Sequence, residues 1–261
     1  MAAAPMTSEP VPISSSTPSP TPGARLGARI GGASAGAPLK VNEDFYGVAA
    51  PQDGRERGIV LAVADGISAG GDARAAAEMT VRSMLADFYA TPAAWSTART
   101  LDRLLESAND WLASENLRRP ALSGIVAALS VLVLRADRYH VAHVGDTRIY
   151  RLRGRLLEQI THDHTWPRRD MRHVLRRAVG LDSYLVADFS EGELQPGDVF
   201  LLVSDGVWDV LDEGALREAL VEQDDPERTA VALVSQALAR QAVYMGRNDA
   251  TAAIARIETL G

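Results

Sequence analysis

Apolar positions along this chain follow two periods. Between 98 and 117, Leu101, Leu104, Leu105, Ala108, Trp111 and Leu112 fall at i, i+3, i+4, i+7, i+10 and i+11, one face of an amphipathic helix. Residues 72–89 read as a second helix, in which Ala73, Ala76 and Ala77 permit close packing. Val231, Val234 and Leu238 define a third over roughly 227–243, and a shorter one occupies 212–222. Between them lie strand-like runs at 44–50, 59–64, 123–134, 138–144, 147–153, 184–190, 198–203 and 251–257. The links at 135–138 and 145–147 are short enough to join antiparallel neighbours. Hairpin-joined strands and helices arriving in pairs predict an α+β chain, with antiparallel sheets covered by helices, over a parallel βαβ fold.

Several of these strands end in an acid. The run at 59–71, IVLAVADGISAGG, reaches Asp65 and then Gly66, Gly70 and Gly71; VFLLVSDGVWDV places Asp205 and Gly206 after another apolar run; HVAHVGDTRIY places Asp146 after a third. One Asp-Gly is an ordinary turn. Three strands that each deliver a carboxylate at their end predict one shared acidic site. KVNEDFYG adds Glu43 and Asp44 where a strand begins, and Asp209 and Asp249 bring the set to seven.

Composition narrows the chemistry. The 261 residues are 46% hydrophobic and 23% charged, as in a soluble globular protein. A formal charge of −7 without a basic helix face argues against nucleic acid as partner. The absence of cysteine excludes disulfides, thiolate zinc sites and thiol nucleophiles. No apolar stretch reaches the ~18 residues of a membrane span, so no membrane partner is expected. Residues 1–26 carry the Pro, Ser and Thr content of a disordered tail and lack a secretory pattern; 27–261 read as one domain, cytoplasmic and monomeric.

Carboxylates gathered in one cleft repel, so some must take up protons or be neutralised by cations. Oxygen ligands without cysteine suit Mg²⁺ or Mn²⁺, and an acid between two ions bridges them. Such a pair activates water and clamps a phosphoryl group for in-line attack, which points to metal-assisted phosphoester hydrolysis. Gly66, lacking a Cβ, lets the backbone offer a carbonyl to an ion.

The ordered set VNEDFYG (41–47), VADGIS (63–68), HVGDTRIYRL (143–152), ITHDH (160–164), RRAVG (176–180), VFLLVSDGVWD (199–209) and NDATAAIARI (248–257) resembles the PPM family, the PP2C-like metal-dependent serine/threonine phosphatases, over about residues 27–258. Phe45-Tyr46-Gly47 and TRIYRL look most like bacterial members. The resemblance implies an antiparallel β-sandwich flanked by helices on both sides, with a binuclear Mn²⁺ or Mg²⁺ site at one end. Carried over, Asp65 bridges both ions and is catalytic together with Asp205; the Gly66 carbonyl, Glu43 and Asp44 serve one ion, directly or through water. Asp205 and the acid near 249 serve the other, and Asp146 and Asp209 match a weaker third site. The implied partners are a phosphorylated protein and a bacterial Ser/Thr kinase that the phosphatase opposes.

Two departures matter. Leu39 occupies the position where the family has an arginine for the substrate phosphate; Lys40 beside it is the cation available there, although a lysine is a point charge and not a fork, and Arg29 lies further upstream. The final motif, usually Asp-Asn-x-Thr, reads Asn248-Asp249-Ala250-Thr251. Aligned on Thr251, the ligand is Asn248; a one-residue shift presents Asp249, the reading preferred here. Ile67 stands where some relatives place a histidine acid. His162 and His164 read as a hydrogen-bonded loop, His140 and His143 as core-edge residues, and the basic run 168–177 as either a solvated face or an attractor for an acidic partner. The expected activity is hydrolysis of phosphoserine and phosphothreonine by a bridging hydroxide. The alternatives are a catalytically weak or inactive protein of the same fold that senses or scaffolds a phosphoprotein or kinase, and an enzyme for small phosphoesters.

Overall fold

The run at 59–64 is apolar at every position because both its faces are covered. In the computed structural model, which describes residues 26–50, 57–68, 72–118, 124–168, 171, 173–244 and 248–260, this run is the heart of β3 (Ile59–Ser68). It pairs with β2 (Asp44–Ala49) and β4 (Ile125–Arg135). β5 (Arg138–Val144) and β8 (Asp188–Glu193) extend that sheet in the order β2-β3-β4-β5-β8. The second sheet has the order β1-β10-β9-β6-β7, from β1 (Gly27–Ala35), β6 (Arg148–Arg153), β7 (Leu156–Gln159), β9 (Val199–Val203) and β10 (Ala250–Thr259). All these pairings are antiparallel.

Alternation along β3 sorts its side chains between two cores. Leu61 and Val63 meet Phe200, Leu202 and Ala253 between the sheets, whereas Val60, Ala62 and Ala64 lie under α1 (Ala73–Ala90) and α2 (Thr97–Arg118). On the far side, α4 (Glu213–Glu222) and α5 (Pro226–Tyr244) cover Leu201, Val203 and Ile254. The result is the expected αββα sandwich. Among the described residues, no helix is long and apolar enough to cross a membrane.

The structure departs from the sequence reading in four places. The link 145–147 does not close a hairpin: β5 and β6 lie in different sheets, and Gly145, at φ 105, carries the chain from one to the other. β1 and the short β7 are additional strands. The run expected at 184–190 enters the sheet only at Asp188. The one-turn helix α3 (Asp205–Trp208) follows β9 directly. Of the predicted tail, residues 1–25 lie outside the described residues, as do Gly70 and Gly71; Leu26 already packs against the inter-sheet core.

Candidate functional site

Antiparallel pairing of β2 with β3 sets Asp44 opposite Asp65 at one end of the sandwich. The other acids reach the same end from the second sheet: Asp205 opens α3 after β9, Asp249 precedes β10, and Asp146 sits on the β5–β6 crossover. Burial, and for some of them the neighbouring charges, raises the proton affinity of these acids. Burial, and then the charges of Asp44, Asp205, Asp146 and Asp249, hold the Asp65 carboxyl well above the usual range. Asp205 is raised in the same way, by burial and then by Asp146, Asp44 and Asp209. Asp44 is pushed up to about 7, burial outweighing its hydrogen bonds from Ser204 and Thr251, and Asp146 to about 6, by burial and Asp163.

Ser204 was not singled out by the sequence reading, and it ties the two sheets together here. It stands at the N-cap of α3, yet its hydroxyl makes no capping bond. It donates instead to Asp44 Oδ2 at 2.6 Å and accepts the Thr251 N–H at 3.0 Å. A serine before Asp-Gly is a common helix-start signal, so its position was visible although its partner was not. Trp208 is a second such residue: its indole N–H donates to the Asp146 carbonyl at 2.9 Å. Arg148, forked onto Asp163 at 2.9 and 2.7 Å, lies 3.5 Å above the indole ring.

The two glycines that follow the acids are required by close backbone approach. A Cβ on Gly66 would lie 2.0 Å from the Ala73 carbonyl oxygen and 2.9 Å from that of Glu43, and one on Gly206 would lie 2.0 Å from the Asp249 carbonyl oxygen. The Gly66 N–H donates to the Glu43 carbonyl at 3.1 Å. Room for the neighbouring chain, and not only access to an ion, therefore explains the repeated Asp-Gly.

The two residues of the Asn248-Asp249 pair have different partners. Asp249 is buried, and its carboxylate accepts the N–H groups of Ala37 at 2.9 Å and Glu43 at 2.7 Å. Lys40 approaches the same carboxylate at 3.3 Å and pairs with Glu43 at 2.6 Å. Asp249 thus anchors the segment between β1 and β2, and the expected phosphate cation Lys40 is part of that anchor. Neighbours on an extended chain point oppositely, and Asn248 faces the acids, its amide donating to Asp205 Oδ2 at 2.8 Å. Leu39 is fully exposed at φ 65, outside this network. Arg29 is bound to Asp224 and Glu258 near the opposite end of β1, roughly 20 Å from Ala35. Asp209 is exposed one turn after Asp205. His164 is buried, accepts the Gly145 N–H through Nδ1 and pairs through Nε2 with Asp188 at 3.1 Å.

The chain matches the family model described as protein phosphatase 2C over residues 32–243. It belongs to the protein phosphatase 2C family. Among relatives of this family, the serine/threonine phosphatase stp of Listeria monocytogenes is 26% identical over 198 residues, covering 69% of this chain and 77% of the relative. The serine/threonine protein phosphatase PstP of Mycobacterium tuberculosis is 26% identical over 179 residues, covering 62% of this chain and 34% of that longer protein. Among solved structures, the chain resembles PppA, described as a key regulatory component of T6SS in Pseudomonas aeruginosa, at 30% identity and a TM-score of 0.71, covering 88% of this chain and 97% of the other. It also resembles the PstP catalytic domain in complex with two manganese ions, at 26% identity and a TM-score of 0.72, covering 89% and 99%.

The donor set of this phosphatase fits divalent cations. Its acids oppose one another's ionisation, the condition that a cation relieves. Asp146 Oδ1 is buried without a hydrogen-bond partner among the described residues, although it is an acceptor. Among the described residues no three His, Asp or Glu side chains form a ready ligand cluster; the Asn248 amide brings a neutral group to Asp205.

Proposed function

We propose that this phosphatase hydrolyses phosphoserine and phosphothreonine in proteins at a Mn²⁺ or Mg²⁺ centre held by Asp65, the Gly66 carbonyl, Asp205 and Asn248. Glu43 and Asp44 act from the outer side, and Asp146 and Asp209 are placed for a weaker third ion. The observation that carries this reading is the convergence of Asp44, Asp65 and Asp205 from two sheets, where burial first and then neighbouring carboxylates hold Asp65 and Asp205 well above the usual range. The bound cations would supply an activated water and neutralise charge on the transferring phosphoryl group.

The chain's own residues set the rest. Asp65 and Asp205, ionised once a cation offsets their repulsion, orient the nucleophile and leave the substrate oxygens for the open side. Asp44, fixed by Ser204, accepts a proton more readily than an ordinary carboxylate and is suited to hold one at the edge of the site. Ile67 carries no proton, so the leaving alkoxide takes its proton from water. Relatives named serine/threonine phosphatases in Listeria and Mycobacterium support a protein substrate, and the role that follows from our reading is to oppose a bacterial Ser/Thr kinase.

Phosphate release from matched phosphoserine, phosphothreonine and phosphotyrosine peptides, with Mn²⁺ present, tests the assignment. Release from the first two, abolished in Asp65→Asn, is expected. Equal release by Asp65→Asn, or a preference for phosphotyrosine, overturns it.

A further inference from the structure

Next to the acid centre, the strand that delivers Asp65 continues into an apolar cavity. Side chains alternate along β3, so Ile67 lies on the same face as Asp65, about 7 Å further along. Its cross-strand partner is Val126, as Ala128 is the partner of Asp65. Beyond the acids, that face therefore becomes an Ile67–Val126 floor. At the ends of β3 and β4, where Ile67 and Val126 of that face adjoin Ser68, Ala113 and Leu117 on the α2 side, a cavity of about 540 Å³ opens, bounded also by Leu181, a volume typical of ligand clefts.

The walls are built and held. Asn116 bonds both the N–H and the carbonyl of Ile125 at 2.8 Å and the Gly180 carbonyl at 3.0 Å. Asn109 accepts the Gly180 N–H at 2.8 Å and donates to the Asp182 carbonyl at 3.0 Å. These two side chains fix the segment 180–182 to α2 and keep the cavity open. Among the described residues its lining includes no lysine or arginine, and the one charged residue is Asp182. Ile67, Leu117 and Leu181 nevertheless expose apolar surface around it.

We infer that this cavity is a substrate-specificity subsite that takes an apolar side chain lying within about three residues of the phosphorylated serine or threonine. The inference rests on the phosphatase reading of the acid centre. An extended peptide advances about 3.3 Å per residue, so a phosphate at Asp65 and Asp205 brings a side chain two residues away over Ile67 and Val126. An apolar occupant gains from leaving water there. An acidic residue or a second phosphate would meet the Asp182 carboxylate, which selects against acidic flanks.

The test uses phosphothreonine peptides in an alanine–serine background, with one leucine moved from four residues before the phosphothreonine to four after it. A parallel set carries aspartate, and p-nitrophenyl phosphate serves as the substrate with no flanks. With Mn²⁺ present, one leucine position within three residues should raise kcat/KM about tenfold over aspartate, chiefly through KM. Leu117→Glu and Leu181→Glu, both at exposed positions, should reduce that preference below threefold and leave p-nitrophenyl phosphate hydrolysis unchanged. A flat leucine scan, a preference that survives both variants, or an equal loss on p-nitrophenyl phosphate overturns the inference. Anisotropy of the fluorescein-labelled leucine peptide separates the two readings. If neither substrate is hydrolysed but both variants weaken binding of that peptide, the subsite stands and the phosphatase reading falls.

Discussion

The side-chain amide of Asn248 donates to the Asp205 carboxylate across 2.8 Å, while the next residue, Asp249, turns its carboxylate onto the backbone of the β1–β2 segment. The two residues thus divide the work that adjacency in sequence makes ambiguous. One bonds to the acid centre through its amide, and the other positions the chain that carries Glu43 and Asp44.

This division predicts opposite phenotypes. Asp249→Ala strips the Ala37 and Glu43 N–H groups of their acceptor and should cost about 1–3 kcal/mol in urea unfolding. Asn248→Ala should leave stability within about 0.5 kcal/mol and weaken Mn²⁺ binding by calorimetry. Asn248→Asp, which adds a charged donor beside Asp205, should tighten it. A stable Asp249→Ala with weakened Mn²⁺ binding, beside an indifferent Asn248→Ala, would restore Asp249 as the ligand.

Repulsion among the acids should be visible without metal. Asp65→Asn and Asp205→Asn each remove one charge from a set that raises its own proton affinities. In chelator at pH 8 both variants should melt at least about 2 °C above wild type, and both should lose phosphate release in Mn²⁺. Lower melting temperatures for both would mean that the acids do not confront one another.

The same acids fix the sign of a pH dependence. A carboxyl whose folded pKa is raised binds more protons folded than unfolded, so its contribution is present at low pH and is lost as pH rises through the folded value. For Asp44 and Asp146 that window runs from about 4 to about 7. His143, pushed by burial down to about 4, acts in the opposite sense, stabilising above its unfolded pKa and losing that as pH falls. Comparison with Asp44→Asn isolates the carboxyl: between pH 5 and 8 in chelator, wild type should lose stability relative to this variant. A constant difference across the range would contradict the assigned shift.

The glycines at the site should resist the smallest substitution. Gly66→Ala and Gly206→Ala each drive a methyl group into a carbonyl oxygen 2.0 Å away, and either should cost about 1–3 kcal/mol by displacing the backbone. Neutral effects on urea midpoints would mean that the approach relaxes freely.

What could be read from sequence was whatever periodicity and strand ends encode. The α2 stripe from Leu101 to Leu112 and the two-sided run of β3 were visible because burial dictates their residue types. β1 was not, since GARIGGASA has a single branched residue, Ile30, among mostly small ones; Gly31 and Gly32 leave no room for a Cβ against Glu227 and Tyr46, so packing had removed the signal. The acids were legible as a set because each ends a strand. Which way Asn248 and Asp249 face was not, because a one-residue shift exchanges them, and the deciding contacts come from Ala37, Glu43 and Lys40, more than 200 residues away in sequence. The β5–β6 crossover looked like a hairpin because a three-residue link serves either connection, and only sheet membership separates them.

The most direct test of the central claim is phosphate release from a phosphothreonine peptide as Mn²⁺ is titrated into chelator-treated protein. No release is expected without metal, followed by a saturable rise with Mn²⁺, partial replacement by Mg²⁺ and complete loss when chelator is restored. Full release in chelator, unchanged by added Mn²⁺, would contradict it.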